Sequence, residues 1–155
     1  MINERKQEIY EELLPEISSA LGACPDIVAG MATVACILQH AFPHFFWTGF
    51  YRVVEPNLLA IGPYQGTLGC LTIPFDRGVC GFSATAKETV IVDDVHEFEG
   101  HIACNSRTCS EIVVPLFDSK GEVIGVLDID SVEFSAFDMI DAKYLEEICK
   151  LLSNC

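Results

Sequence analysis

The sequence predicts an α+β domain built on a central antiparallel sheet, and three observations carry that prediction. Helical periodicity is confined to the two ends of the chain. The middle is a succession of aromatic and β-branched runs. The last two runs are joined by Asp118-Ser119-Lys120-Gly121, a turn sequence that reads as an antiparallel hairpin. At 155 residues the chain closes one core and not two. A single domain is therefore expected over 1–155, with N-terminal helices in 1–43, sheet and loops in 45–131 and a closing helix in 135–155.

Taken in order, residues 3–21 carry Ile9, Leu13, Ile17 and Leu21 four apart among many charged groups, which predicts a helix with one buried stripe. Pro15 is expected to kink or break it. Pro25 to Ala41 reads as a second helix, with Pro25 in its first turn and Pro43 beyond its end. Phe45 to Val54 is the first strand, rich in aromatic and β-branched residues. Leu58 to Gly62, Cys70 to Ile73, Thr89 to Val92, Glu111 to Phe117 and Glu122 to Asp130 follow as strands, with a short helix between Cys80 and Lys87. A long helix from Ser135 or Ala136 to Leu152 closes the chain, with Ile140, Leu145, Ile148 and Leu152 on one side.

Composition narrows the class of function. Half the residues are hydrophobic, as in a packed globule. The 9 basic residues against 23 acidic ones give a net charge of -14, which repels a phosphate backbone or an anionic bilayer, so neither nucleic acid nor membrane is an expected partner. The charged start Met1-Ile2-Asn3-Glu4-Arg5-Lys6 lacks the apolar core of a secretory signal, so a cytoplasmic location is expected. The apolar stretch Ile27 to Leu38 is too short for the roughly 20 residues of a membrane span. In a reducing compartment eight cysteines argue for thiol chemistry over a structural disulfide framework. Cys24, Cys36, Cys149 and Cys155 fall in or beside helices and read as buried core thiols.

The remaining cysteines sit in more suggestive places. Cys104 lies in the polar loop Gly100-His101-Ile102-Ala103-Cys104-Asn105-Ser106, just before an apolar strand, where a mobile arm carries a reactive group over a rigid sheet. Cys70 and Cys80 read as residues of Gly-flanked turns, so three thiols on connecting segments could meet in space. The spacings Cys70-x9-Cys80-x23-Cys104-x4-Cys109 contain no C-x2-C knuckle, and no metal site is expected. His101 is either a modulator of the Cys104 thiolate or a loop histidine without that role. Asp128 and Asp130, two apart on a strand, leave the same face as Val126, and Glu111 on the neighbouring strand could join them. Two close carboxyls raise one pKa until that group keeps its proton.

Several separate motifs agree in order and spacing with a known family. Gly62-Pro63-Tyr64-Gln65-Gly66, Cys70, Arg77-Gly78-Val79-Cys80-Gly81, Gly100-His101-Ile102-Ala103-Cys104 and Ser110-Glu111-Ile112-Val113-Val114-Pro115 resemble the free methionine-(R)-sulfoxide reductases, single-domain proteins of the GAF fold, over about residues 45 to 150. The resemblance implies that Cys104 is the nucleophile, Cys70 the principal resolving thiol, and Cys80 a supporting or alternative one. It implies that Glu111, Asp128 and Asp130 bind substrate, with Trp47 and Tyr51 as aromatic pocket residues. It further implies free methionine (R)-sulfoxide as substrate, thioredoxin or another dithiol as reductant, no bound cofactor and a homodimer. A non-catalytic GAF sensor that binds a small molecule in the same cavity is the alternative. Cys109 is a thiol beyond the family motif, and only Arg107 offers a nearby cation to Cys104.

Overall fold

The computed structural model describes residues 3–102 and 104–155; Met1, Ile2 and the Ala103 of the Gly100–Cys104 run lie outside the described residues. Two helices, α1 (Asn3–Ala20) and α2 (Ile27–Ala41), precede the strands β1 (Trp47–Glu55), β2 (Leu58–Gln65) and β3 (Thr72–Pro74). Helix α3 (Gly78–Ala86), strand β4 (Val90–Val92) and a single 3₁₀ turn at Val95–Glu97 lead to β5 (Ser110–Phe117), β6 (Val123–Ser131) and helix α4 (Met139–Leu152). The six strands form one sheet in the order β3-β2-β1-β6-β5-β4, every neighbouring pair antiparallel. This is the α+β architecture expected, and the β5–β6 hairpin turns where Asp118 accepts hydrogen bonds from the amides of Lys120 and Glu122.

The sheet divides two cores because its central strands alternate strictly. Phe50, Ile112, Val114, Leu127 and Ile129 face α1, α2 and α4 in a mainly apolar layer. Trp47, Tyr51, Val113 and Val126 face the other way, toward α3 and the loops, with Leu59, Ile73, Val79 and Cys80. A one-residue slip in β5 or β6 would exchange these sets, so the apolar layer under the helices enforces the register that the opposite face uses.

The helices differ from expectation in instructive ways. Helix α1 runs through Pro15 without a break, because Pro15 and Glu11, whose carbonyl lacks its usual donor, both lie on the solvent side. Its buried stripe is Lys6, Tyr10, Leu13 and Ile17, with Ile9 and Leu21 at the margins. Lys6, 3% exposed, donates to Asp141 at 2.7 Å, and the Tyr10 hydroxyl donates to the same carboxylate at 2.6 Å. Asp141 also closes the capping box of α4 with Asp138, which is why α4 begins at Met139 instead of Ser135 or Ala136. Pro25 precedes the N-cap of α2, Asp26, and does not enter its first turn.

The cysteines in the helical layer are not all buried thiols. Cys149 is, and burial pushes its thiol up to about 12. Cys36 is exposed, since α2 presents that position to solvent. Cys24 and Cys155 are joined in a disulfide with Cα atoms 5.4 Å apart and a sequence separation of 131, which corrects their assignment as core thiols. Gly30 makes room for it: a Cβ there would stand 2.9 Å from the Cys155 sulfur and 3.2 Å from that of Cys24. A cross-link over so long a loop restricts the unfolded chain and is worth about 2–4 kcal/mol. Cys24→Ser is therefore predicted to lower the Tm of the oxidised protein by about 5–10 °C, and scanning calorimetry with dithiothreitol should abolish the difference from the parent.

Candidate active site

Three strands build the floor of the site by their pairing. Across β1, β6 and β5 one row reads Trp47, Asp130, Glu111, the next Gly49, Asp128, Val113, and the third Tyr51, Val126, Pro115. All these side chains share the face away from α1, α2 and α4, so the register brings Glu111 directly opposite Asp130 and sets Asp128 one step along. Gly49 lets the rings approach, because a Cβ at that position would collide with Tyr64 and the Trp47 indole. Trp47 stacks on Tyr64 at 5.1 Å and on Tyr51 at 5.8 Å between centroids.

Two loops and a helix end close over this floor. The Trp47 indole N–H donates to the Thr67 carbonyl at 2.7 Å, and the Asn105 amide donates to the Thr67 hydroxyl at 3.0 Å. Thr67 thus ties the β2–β3 loop to the aromatic wall on one side and to the Cys104 loop on the other. Cys70 and Cys104, from these same two loops, are joined through their sulfurs with Cα atoms 5.7 Å apart. Cys104 is exposed and Cys70 half-buried. Cys80 departs from its expected turn: it lies in the first turn of α3, 3% exposed, and points at the acidic floor. Its sulfur and a carboxylate oxygen from each of Glu111 and Asp128 lie within 4.8 Å of one another.

The enclosed space is a partly open cavity of only about 30 Å³, well short of the roughly 300–1,000 Å³ of small-molecule sites, so the loops sit closed over the floor. Cys80, Cys104, Trp47, Tyr51 and the three acids all border it, and Cys70 joins through its bond to Cys104. His101 borders it too: its Nε2 lies 3.6 Å from a Glu111 oxygen, half-buried, and burial lowers its pKa. Cys109 is held at the sheet end by backbone bonds to Val95 and Ser131. The Arg107 guanidinium lies over the Phe46 ring, 4.9 Å from its centroid.

Burial governs the chemistry of the floor. Glu111 and Asp128 are each 5% exposed, and one oxygen each of Asp128 and Asp130 is buried without a hydrogen-bond partner. Burial, then the charge of Asp130, holds the Glu111 carboxyl well above the usual carboxylate range. Burial and Glu111 do the same to Asp128, and burial and Asp128 to Asp130. The Cys80 thiol is raised by burial and by the same carboxylates. Burial raises the Tyr51 hydroxyl, against the opposing pull of the Cys70 backbone amide. The site is thus a set of carboxyls held above their usual range, facing an aromatic wall under a loop that carries sulfur.

The architecture and this one-sided cavity define a GAF domain. The family profile described as GAF domain matches residues 34–155. The chain is 39% identical to the free methionine-R-sulfoxide reductase of Saccharomyces cerevisiae, covering 98% of this chain and 88% of the yeast protein. It is 48% identical to GAF domain-containing protein A of Dictyostelium discoideum, covering 96% and 93% of the two chains. Among solved structures, the free methionine-R-sulfoxide reductase of Neisseria meningitidis in complex with its substrate superposes with a TM-score of 0.92 at 47% identity, over 96% of this chain and 89% of the other. The chain belongs to the free methionine-R-sulfoxide reductase family of GAF domains. No helix among the described residues is long and apolar enough to cross a membrane.

The raised carboxyls couple stability to pH with a definite sign. Between about pH 4, where an unfolded carboxyl titrates, and the higher folded values, the folded chain holds more protons than the unfolded one. Each such group therefore favours the folded state at low pH, and that contribution is lost as pH rises. Asp128→Asn removes one of them. The Tm gap between parent and Asp128→Asn, measured by calorimetry from about pH 5 to 8, should shift against the parent as pH rises; a shift in the parent's favour would contradict the upward shift of the carboxyls.

Proposed function

We propose that this protein reduces free L-methionine (R)-sulfoxide to L-methionine with its own thiols. The observation that carries the reading is the Cys70–Cys104 bond at the rim of a cavity bordered by Glu111, Asp128 and Asp130. The Cys104 thiolate attacks the sulfoxide sulfur. The oxygen takes a proton from the acidic floor, since oxide without one is a very poor leaving group. As the substrate S–O bond breaks, the protonated oxygen passes to the Cys104 sulfur, methionine departs as the thioether and Cys104 is left as a sulfenic acid. The Cys70 thiol then attacks that sulfur, water leaves and the disulfide forms. A dithiol protein of the thioredoxin type attacks the pair, takes over the disulfide and returns both thiols.

The acids divide the work. The partnerless oxygens of Asp128 and Asp130 suit the substrate ammonium, and Glu111, raised by burial beside Asp130, keeps the proton for the oxygen. A buried acceptor for a free α-ammonium also excludes methionine sulfoxide inside a peptide, which has none. Trp47 and Tyr51 supply the wall for the methyl-sulfinyl group. Cys80 faces the acids and serves as a support for them. The reaction runs in a reducing cytoplasm, where the dithiol reductant is found. The assembly is a homodimer, for which the exposed Val132 and Phe134 after β6 and Met139 at the start of α4 offer apolar surface.

The test uses the two separated epimers of free methionine sulfoxide. With dithiothreitol the R epimer is consumed and the S epimer is not; consumption of neither would favour a sensor. With thioredoxin as reductant, Cys104→Ser loses turnover altogether. Cys70→Ser releases about one equivalent of methionine per chain and stops, because the sulfenic acid has no partner thiol. Full multiple turnover by Cys104→Ser would overturn the assignment.

A further inference from the structure

The spacing of the cysteines along the chain contains no metal motif, but the fold assembles a donor set that spacing cannot reveal. Cys80 comes from the first turn of α3, Glu111 from β5 and Asp128 from β6. Their sulfur and oxygen atoms lie within 4.8 Å of one another, and the three side chains are 3%, 5% and 5% exposed. One oxygen of Asp128 is buried with no partner of its own, and Asp128 borders the cavity. Cys80 is also the one described cavity thiol outside the Cys70–Cys104 bond.

We propose that Cys80, Glu111 and Asp128 form a binding site for zinc or a similar borderline-soft divalent ion at the inner end of the cavity. One thiolate with two carboxylates selects zinc, cobalt or cadmium over magnesium or calcium, which prefer all-oxygen sites. Zinc bonds of about 2.3 Å to sulfur and 2.0–2.2 Å to oxygen set tetrahedral donors up to about 4 Å apart, so small side-chain rotations close the set around an ion. A fourth position opens toward the cavity, as in sites that retain an exchangeable water. His101, whose Nε2 is 3.6 Å from Glu111, stands where an outer partner orients a ligating carboxylate. Binding requires that the three donors release their protons to solvent, with no change of oxidation state. An ion there occupies the acids that the proposed reaction uses for ammonium and proton, so zinc stops turnover by filling the site.

Cobalt(II) is the probe, added to the disulfide form of the full chain in the absence of reductant, where Cys70 and Cys104 are paired with each other and cannot ligate. The expected result is one cobalt per chain with a near-ultraviolet thiolate-to-cobalt charge-transfer band, discharged by added zinc. The band is lost in Cys80→Ser and its half-saturation rises tenfold or more in Asp128→Asn and Glu111→Gln. It persists in Cys36→Ser, which removes the exposed thiol 3.8 Å from His40, and in Cys109→Ser. No band in the parent, or a band that survives in Cys80→Ser, overturns the site. Should Cys80→Ser not fold, unchanged cobalt affinity in folded Asp128→Asn or Glu111→Gln overturns it instead. No substrate enters this measurement, so a cobalt site in a chain that consumes neither sulfoxide epimer upholds the ion site while removing the reductase reading.

Discussion

The constraint on which the rest depends is the pairing of β1, β6 and β5, which puts three carboxyls on one face of a sheet whose other face is mostly apolar and carries no buried charged side chain on these strands. Taking three such groups out of water is costly unless they keep their protons or meet a cation. The chain carries that cost because the opposite face is sealed by Phe50, Ile112, Val114, Leu127 and Ile129 under three helices. The helical layer is in turn bound together by Lys6, Tyr10 and Asp141 across α1 and α4, and by Cys24–Cys155 beside α2. Stability accumulated on one side of the sheet is thus available to hold a strained electrostatic arrangement on the other.

The loops complete the site by a different logic. They contribute little apolar burial, and Leu68 and Leu71, beside Gly69 and Cys70, are among the most exposed apolar residues of the chain. What holds them is a short series of directional contacts: Trp47 and Asn105 on Thr67, and the Cys70–Cys104 bond. Reduction of that bond leaves hydrogen bonds to hold the loops, Trp47 to Thr67 from the floor and Asn105 to Thr67 between the two loops. Such segments belong to the low-stability end of a fold, where opening for substrate and reductant costs least.

Much of this was legible in the sequence, and what was not has physical reasons. The alternation of Val126, Asp128 and Asp130 is a period of two, so their shared face followed from strand geometry. That this face is buried did not follow, since alternating acids also mark a solvent face. The nearness of Cys70 and Cys104 rested on resemblance, because the sulfurs are 34 residues apart and no spacing rule joins two loops. The Cys24–Cys155 pair was missed because helical context argues for buried thiols, and the one hint, Gly30 inside an apolar helix, fits ordinary close packing of a helix just as well. Lys6 gave no sign at all: a lysine near a helix start is ordinarily solvated, and only the distant Asp141, with Asp138 and the Ala136 carbonyl beside it, makes its burial tolerable. Thr67 was equally silent, since its role depends on a backbone carbonyl and a hydroxyl that only the folded loop aims.

The proposed reaction couples sulfur oxidation, one to one, to loss of oxygen from a substrate held on the acidic floor. The direct measurement mixes the fully reduced chain with one equivalent of free methionine (R)-sulfoxide and no reductant. Methionine released and the peptide carrying Cys70 linked to Cys104 are then counted in the same quenched sample by mass spectrometry. Equal amounts of the two, rising together, are the predicted result. Methionine formed without the cross-link, or the cross-link formed without methionine, would contradict it.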